Sequence, residues 1–338
     1  MTSQNNRLLI TGPCSAESRT QVLRSAEAIQ SICPDSIFRA GIWKPRTKPN
    51  SFEGVGAIGL EWLKEVKEHY NLKTATEVAT PYHVEECLKH GIDIMWIGAR
   101  STGNPFSVQA IADALRGTEQ TVMVKNPMHT DLPLWVGAFE RLERAGIKNT
   151  IGIHRGFHRT TKSPLRNEPE WDLLSDFRAL MPATKIICDV SHIAGDSVLV
   201  PLIAETAMKH HVDGLMIETH PNPTVALSDS KQQLTPKELE TLLDCVFRSP
   251  QHLHSLRTEI DQTDAHLISL LSHRMKISQK IALFKRQHQL DLLQQERWEK
   301  VKLSNQALAK KYELNSTFIG ELYELIHQAS LNAQKQMR

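Results

Sequence analysis

Ile94-Met95-Trp96-Ile97 is an unbroken apolar run, and Gly98-Ala99-Arg100 follows it at once. A strand with one wet face alternates polar and apolar residues. A run without alternation is buried on both faces, as in a parallel sheet covered by helices. The same kind of run recurs at 8–11, 37–40, 73–77, 122–125, 150–153, 186–190 and 214–218, which makes eight with 94–97. The stretches between them, such as 21–32, 59–68 and 198–210, have helical length and periodicity. Eight such units in the first 250 residues favour an α/β fold of the closed (β/α)8 TIM-barrel type. The competing arrangement, an open doubly wound sheet, expects a GxGxxG turn after an early strand, and the chain has none.

The remaining residues, 251–338, carry no convincing strand. The reading is therefore a barrel domain over 1–250 and a helical domain over 251–338, within 338 residues. A net charge of +2 gives no reason to expect nucleic acid or a membrane as a bulk partner. The five cysteines, at 14, 33, 87, 188 and 245, form no CxxC and fit a reducing, cytoplasmic setting. Residues 1–7 are polar and no run is long enough to span a bilayer, so neither a signal peptide nor a membrane segment is expected. With strand one beginning by Leu8, no regulatory domain is expected ahead of the barrel.

In such a barrel the site lies beyond the C-terminal ends of the strands. Charged residues stand there after nearly every strand: Arg39, Lys44 and Arg46, then Glu77, Arg100, Lys125, Arg155, Asp189, His192 and Glu218, with Asp229 in the last loop. Six of these are cations converging on one mouth, and unpaired they would repel one another. They imply anionic ligands, and a substrate pair carrying two phosphates and a carboxylate would account for so many. Cys14, His192, Glu218 and Asp229 form a mixed S, N, O, O set suited to a divalent transition metal acting as a Lewis acid. From the residues alone His192 is equally a general base or a core histidine, and His154 and His220 are rival ligands.

Gly12-Pro13-Cys14-Ser15-Ala16-Glu17, Lys44-Pro45-Arg46-Thr47-Lys48-Pro49, Ile97-Gly98-Ala99-Arg100, Cys188-Asp189-Val190-Ser191-His192 and Leu227-Ser228-Asp229 resemble the 3-deoxy-arabino-heptulosonate 7-phosphate (DAHP) synthases, most closely the short microbial subtype. The resemblance implies a metal-dependent barrel that condenses phosphoenolpyruvate with erythrose 4-phosphate at the head of the shikimate pathway. It implies that Cys14, His192, Glu218 and Asp229 bind the metal, manganese first, with iron, cobalt or zinc also fitting. By the same resemblance Arg39 and Lys125 touch the phosphoenolpyruvate carboxylate, and Arg100 and Arg155 hold its phosphate with Lys125 between. Arg46 and Thr47 anchor the phosphate of erythrose 4-phosphate, and Lys44 helps move a proton. The related 8-phosphate synthases differ at the Lys44-Pro45-Arg46-Thr47 anchor. Ser230 stands where a glycine is common.

In the tail, Leu256, Ile260, Leu267, Leu270, Leu271, Ile277, Ile281 and Phe284 keep an i, i+3, i+4, i+7 rhythm that predicts one long helix over 252–288. Further helices are predicted over 292–311 and 315–335, the last capped by Asn315 or Ser316. Three helices bury too little alone, so an intertwined homodimer is expected. Arg257, Asp261 and Asp264, the Leu270-Leu271-Ser272-His273-Arg274-Met275 run, Lys285, Arg297 and Gln334 resemble the all-helical chorismate mutases. That resemblance implies that Arg257, reaching across from a partner chain, and Arg274 and Arg297 grip the two carboxylates of chorismate. Lys285 and Gln334 flank its ether oxygen, and prephenate is the product. Trp298 and Gln294 depart from the acidic residues usual there. The alternative is a tail that only binds ligand and dimerises. As the only appended domain, the tail is also expected to let prephenate inhibit the barrel.

Overall fold

The computed structural model describes residues 7–44, 51–160, 163–248, 253–291, 294–312 and 314–335. It divides into two compact units, Met1–His252 and Leu253–Arg338.

The first unit is a closed barrel. Its strands are β1 (Leu8–Gly12), β2 (Ile37–Arg39), β3 (Lys73–Val78), β4 (Ile94–Ile97), β5 (Thr121–Lys125), β6 (Thr150–His154), β7 (Lys185–Asp189) and β8 (Gly214–Glu218). They lie parallel in chain order, and β8 closes on β1. The open doubly wound alternative is therefore set aside. Apolar residues occur at consecutive positions because the two faces of each strand serve two cores. Ile94, Trp96, Met123, Ile153, Ile187 and Met216 fill the barrel interior. Met95, Ile97, Val122, Val124, Ile186 and Cys188 point outward into the layer under the helices.

The helices of this unit are α1 (Arg19–Ile32), α2 (Ile58–Tyr70), α3 (Pro81–Lys89), α4 (Ala99–Thr102), α5 (Pro105–Ala114), α6 (Leu132–Arg144), α7 (Asp172–Leu180), α8 (Val190–Ala194), α9 (Val200–Lys209) and α10 (Pro236–Leu243). Thr80, Asn104 and Thr235 cap helices that open with proline, and Thr235 shares a reciprocal capping box with Glu238. The short α4 and α8 start directly off β4 and β7, which leaves Arg100 and His192 at the barrel mouth. The apolar pattern extends the seventh strand over 186–190, but Val190 already belongs to α8, because the Asp189 side chain caps that helix by accepting from His192 N.

The second unit consists of α11 (Leu253–Gln287), α12 (Gln295–Lys311) and α13 (Ser316–Lys335), with no strand among its described residues. Asn315 is the cap of α13: its Oδ1 accepts from Thr317 N at 2.9 Å and Phe318 N at 3.1 Å. At about 1.5 Å per residue α11 is roughly 52 Å long, longer than either α12 or α13. The buried apolar residues of the unit are Ala282, Trp298, Ala309 and Ile319 among the described ones, whereas Ile260, Leu267, Ile268, Leu270 and Phe284 are each more than half exposed. No helix among the described residues is long and apolar enough to cross a membrane.

Candidate functional site

At the end of β1 the chain runs flush against β2. Gly12 adopts φ +145°, and a Cβ there would meet the Arg39 carbonyl oxygen at 2.1 Å. That close passage delivers Cys14 to the mouth, where its N–H donates to Gln233 Oε1 at 2.9 Å. Ligand atoms of Cys14, Glu218 and Asp229 all lie within 4.8 Å of one another. The Cys14 thiol donates to Asp229 Oδ2 at 3.3 Å. His192 stands at the edge of this group, its Nε2 3.9 Å from Asp229 Oδ2 and its Nδ1 3.8 Å from Glu218 Oε1.

The same Nδ1 meets Asp189 Oδ2 at 2.9 Å. An acceptor on Nδ1 fixes the ring's tautomer and leaves the Nε2 lone pair facing the cluster. Burial lowers the His192 pKa, and Asp189 opposes this. Burial, reinforced by Glu218, pushes the Cys14 thiol up to about 12. For Asp229 burial opposes ionisation, but His192, Arg166 and Lys44 outweigh it and hold the carboxyl well below its ordinary range. A thiol, an imidazole and two carboxylates gather in this largely buried spot, and the donor set fits a divalent transition metal. The rival histidines lie elsewhere. His154 is buried against Phe157 and Trp171. His220 Nδ1 accepts from Asn222 N at 3.0 Å, and its Nε2 faces Glu17 at 3.7 Å.

Two of the mouth cations have carboxylate partners of their own. Lys125 Nζ meets Asp189 Oδ2 at 2.7 Å, both side chains almost wholly buried. Arg39 donates to Glu218 Oε1 at 3.1 Å and to the Cys14 carbonyl at 2.9 Å, with its guanidinium carbon 4.9 Å from the Trp96 ring centroid. A buried charge is costly unless it is paired, and each of these two cations has an opposed carboxylate. Lys44 Nζ stands 3.0 Å from Cys14 Sγ. Burial opposes its charge too, yet Cys14 and Glu218 raise its pKa. Arg155 donates to Asn167 Oδ1 at 2.8 Å. Burial brings its pKa down to about 10, and Arg166 and Arg100 add repulsion against the attraction of Asp189. That repulsion marks the patch where an anion is welcome. Arg46 and Thr47 lie outside the described residues.

In the helical unit, Arg274, Lys285, Arg297 and Gln334 line one cavity of about 440 Å³, together with Trp298 and His327. Arg274 Nη1 donates to Ser330 Oγ at 2.5 Å, and Gln334 Nε2 donates to Ser278 Oγ at 2.8 Å. Burial lowers the Lys285 pKa, and Asp291 partly offsets this. Trp298 stacks on His327 at 3.9 Å between ring centroids. Three cations around one cavity suit a ligand with two carboxylates. Arg257 lies on α11, but its side chain is outside the described set.

Residues 1–254 match the family model described as the DAHP synthetase I family. The chain belongs to that family. Residues 256–335 match the model for chorismate mutase type II, so DAHP synthase and chorismate mutase domains are both present. That match spans nearly the whole tail and does not favour a tail that only binds ligand. A phospho-2-dehydro-3-deoxyheptonate aldolase of Thermotoga maritima is 30% identical over 228 residues, 67% of this chain and 64% of the relative. The chain thus spans somewhat under two thirds of that relative's length. A 2-dehydro-3-deoxyphosphooctonate aldolase of Protochlamydia amoebophila is 27% identical, over 70% of this chain and 88% of the relative. Among solved structures, the Thermotoga maritima phospho-2-dehydro-3-deoxyheptonate aldolase (DAHP synthase) superposes with TM-score 0.63 at 27% identity, covering 70% of this chain and 67% of that one.

Within this DAHP synthetase barrel, sequence reasoning missed the residues that orient the others. Asp189 stood out only as a charge at a strand end, yet it holds both Lys125 and His192. Arg166 pairs with Asp229 at 3.1 Å, Asn167 Nδ2 donates to the His192 carbonyl at 2.6 Å, and Gln232 Nε2 donates to Glu218 Oε2 at 2.7 Å. Arg166 and Asn167 sit in an irregular loop with no periodicity to draw notice. Gln232 follows Asp229 by three residues, and that proximity was the one available signal.

Proposed function

We propose that the barrel joins phosphoenolpyruvate, D-erythrose 4-phosphate and water into 3-deoxy-D-arabino-heptulosonate 7-phosphate and inorganic phosphate. The helical unit rearranges chorismate to prephenate. The observation that carries the first reading is the convergence of Cys14, Glu218, Asp229 and His192 beside Lys44, with Arg100 and Arg155 near by. Cys14, His192, Glu218 and Asp229 would hold a divalent ion, manganese by preference. Bound there, the ion supplies Lewis acidity toward an aldehyde oxygen.

The chain's own residues do the rest. Arg155 and Arg100 bind the phosphate of phosphoenolpyruvate, and Lys125, steadied by Asp189, lies between that phosphate and the carboxylate. Arg39, under the site, lends positive charge to the carboxylate end. Arg46 and Thr47 anchor the sugar phosphate. So held, C3 of phosphoenolpyruvate bonds to C1 of the aldehyde, and the Lys44 ammonium gives its proton to the oxygen that gains charge. Water adds at C2 and returns a proton to Lys44, and the C–O bond to phosphate breaks as the C2 hydroxyl gives its proton to the departing phosphate and the ketone forms.

In the second cavity Arg274 and Arg297, with Arg257 of a second copy, hold the two carboxylates of chorismate. Lys285 and Gln334 stabilise the negative charge that grows on the ether oxygen as it breaks. The exposed apolar side of α11 supports a homodimer through this unit. We place the functional boundary at residues 250/251, the enzyme in the cytoplasm, and prephenate as an inhibitor of the barrel that loses its effect when 251–338 are deleted.

Cys14→Ala should abolish phosphate release from phosphoenolpyruvate and erythrose 4-phosphate while chorismate turnover continues. Lys285→Met should do the reverse. A barrel that prefers arabinose 5-phosphate, or a Lys285→Met protein that still consumes chorismate, would overturn the corresponding half.

A further inference from the structure

The two carboxylates of the barrel cluster are joined from behind. Asp229 turns Oδ2 toward the Cys14 thiol and His192 Nε2, and Oδ1 toward Arg166 Nη1 at 3.1 Å. The same Nη1 donates to Gln232 Oε1 at 2.6 Å, and Gln232 Nε2 donates to Glu218 Oε2 at 2.7 Å. Glu218 Oε1 faces the other way, toward Arg39 and His192. One unbroken chain of hydrogen bonds therefore runs from Asp229 Oδ1 through Arg166 and Gln232 to Glu218 Oε2. It occupies one oxygen of each carboxylate.

The parts of this chain are themselves fixed. Gln232 is 1% exposed. Its amide has one tolerable orientation, because a flip would set NH2 against a guanidinium and a carbonyl against a carboxylate. Its backbone N–H donates to the Asp229 carbonyl at 3.2 Å. Arg166 N donates to the carbonyls of Ile193 and Ala194, in the helix that carries His192. Gly195 closes that helix with φ +72°, and a Cβ there would meet Arg166 Cβ at 2.4 Å. The clamp thus rests on the segments that present two of the four cluster residues, Asp229 and His192.

We propose that Arg166 and Gln232 are positioning residues that preset the Asp229 and Glu218 carboxylates and so govern divalent-ion affinity without being ligands. The inference rests on the reading that Cys14, His192, Glu218 and Asp229 hold the ion. Orientation of ligating carboxylates by hydrogen bonds commonly decides 10–100-fold in metal affinity.

The test uses the full-length protein stripped of metal and titrated with Co²⁺. Binding is followed by the thiolate-to-cobalt charge-transfer band, which isolates a site containing a cysteine ligand, and by calorimetry. Arg166→Met and Gln232→Leu should each weaken binding by roughly 10–100-fold while the band keeps its shape, because Cys14 is unchanged. The double variant should fall well short of the product of the two, because both act through one chain. A purely structural role would lower the melting temperature of the metal-free protein and leave the Co²⁺ affinity in place. Affinity unchanged within about twofold would overturn the clamp. So would tighter binding in Arg166→Met, the mark of an arginine that competes with the ion. If Arg166→Met does not fold, Gln232→Leu decides alone. A wild-type protein with no thiolate band would instead overturn the reading of the site itself.

Discussion

Replacing Asp189 by asparagine tests how the barrel keeps its cations charged in a dry place. Asp189 has no solvent exposure and meets Lys125 Nζ at 2.7 Å and His192 Nδ1 at 2.9 Å. Asparagine keeps the shape, removes the charge and turns an NH2 group toward one of two donors. Lys125, 5% exposed, cannot recover the loss from water. Removing one partner of a buried pair costs about 3–5 kcal/mol, most of it the stranded charge. For a domain of this size each kcal/mol shifts the midpoint by about 2–4 °C, so the barrel transition should fall by roughly 6–20 °C at pH 7. Scanning calorimetry of metal-free protein reads this directly. The double variant Asp189→Asn/Lys125→Met removes the stranded cation and should regain a good part of the loss. The pH dependence has a definite sign. Burial opposes ionisation of Asp189, but His192 and Lys125 hold its pKa well below the ordinary value. Its contribution is thus full above the unfolded carboxylate pKa, near 3.9, and is lost as pH falls toward the folded value. The gap between wild type and Asp189→Asn should stay constant from pH 8 to about 5 and close only in stronger acid. A single variant within about 1 kcal/mol of wild type, or a double variant less stable than the single, would refute the reasoning.

Three more outcomes follow from the same geometry. Burial holds the His154 pKa down to about 3, so the unfolded chain takes up a proton below pH 6.5 that the folded barrel refuses. His154→Phe should therefore lose roughly 2–3 kcal/mol less stability than wild type between pH 6.5 and 4.5 in urea titrations, and equal acid slopes would dismiss the idea. Because burial lowers the Lys285 pKa, chorismate turnover should decline with rising pH before the ordinary lysine range is reached, with the substrate saturating. A flat profile up to pH 10 would mean that the Lys285 charge is not used. A chelator should stop phosphate release from phosphoenolpyruvate, with recovery on adding Mn²⁺, while chorismate loss continues at its former rate. Loss of both activities together would contradict two independent chemistries.

Much of the architecture was legible because burial writes itself into short runs. Ile94–Ile97 had no polar face to give it a wet side, and the structure accounts for this with Trp96 inside the barrel and Met95 beneath the helices. The long period of 256–284 announced α11 in the same way. Boundaries were less legible where one side chain does two jobs. Asp189 ends a strand and caps a helix at once, so the strand stopped one residue earlier than its apolar pattern implied. The partners of Arg39 and Lys125 were not legible, because strand-end position says nothing about which carboxylate stands across the barrel. Glu218 lies 179 positions from Arg39, and no local pattern joins them.

Strand and helix order, the change from strand-bearing to all-helical pattern near residue 250, and the residue types gathered after each strand can be read from the chain alone. Those follow from periodicity and residue chemistry, which are local. Which atoms face one another emerges with the packed fold: Asp189 between Lys125 and His192, Arg39 against Glu218, and Arg166 reaching Gln232 and Asp229. These contacts join residues far apart in the chain, brought together when the eight strands close into a barrel and bury them. Closure and burial are properties of the whole packed barrel, and no single stretch of chain carries them.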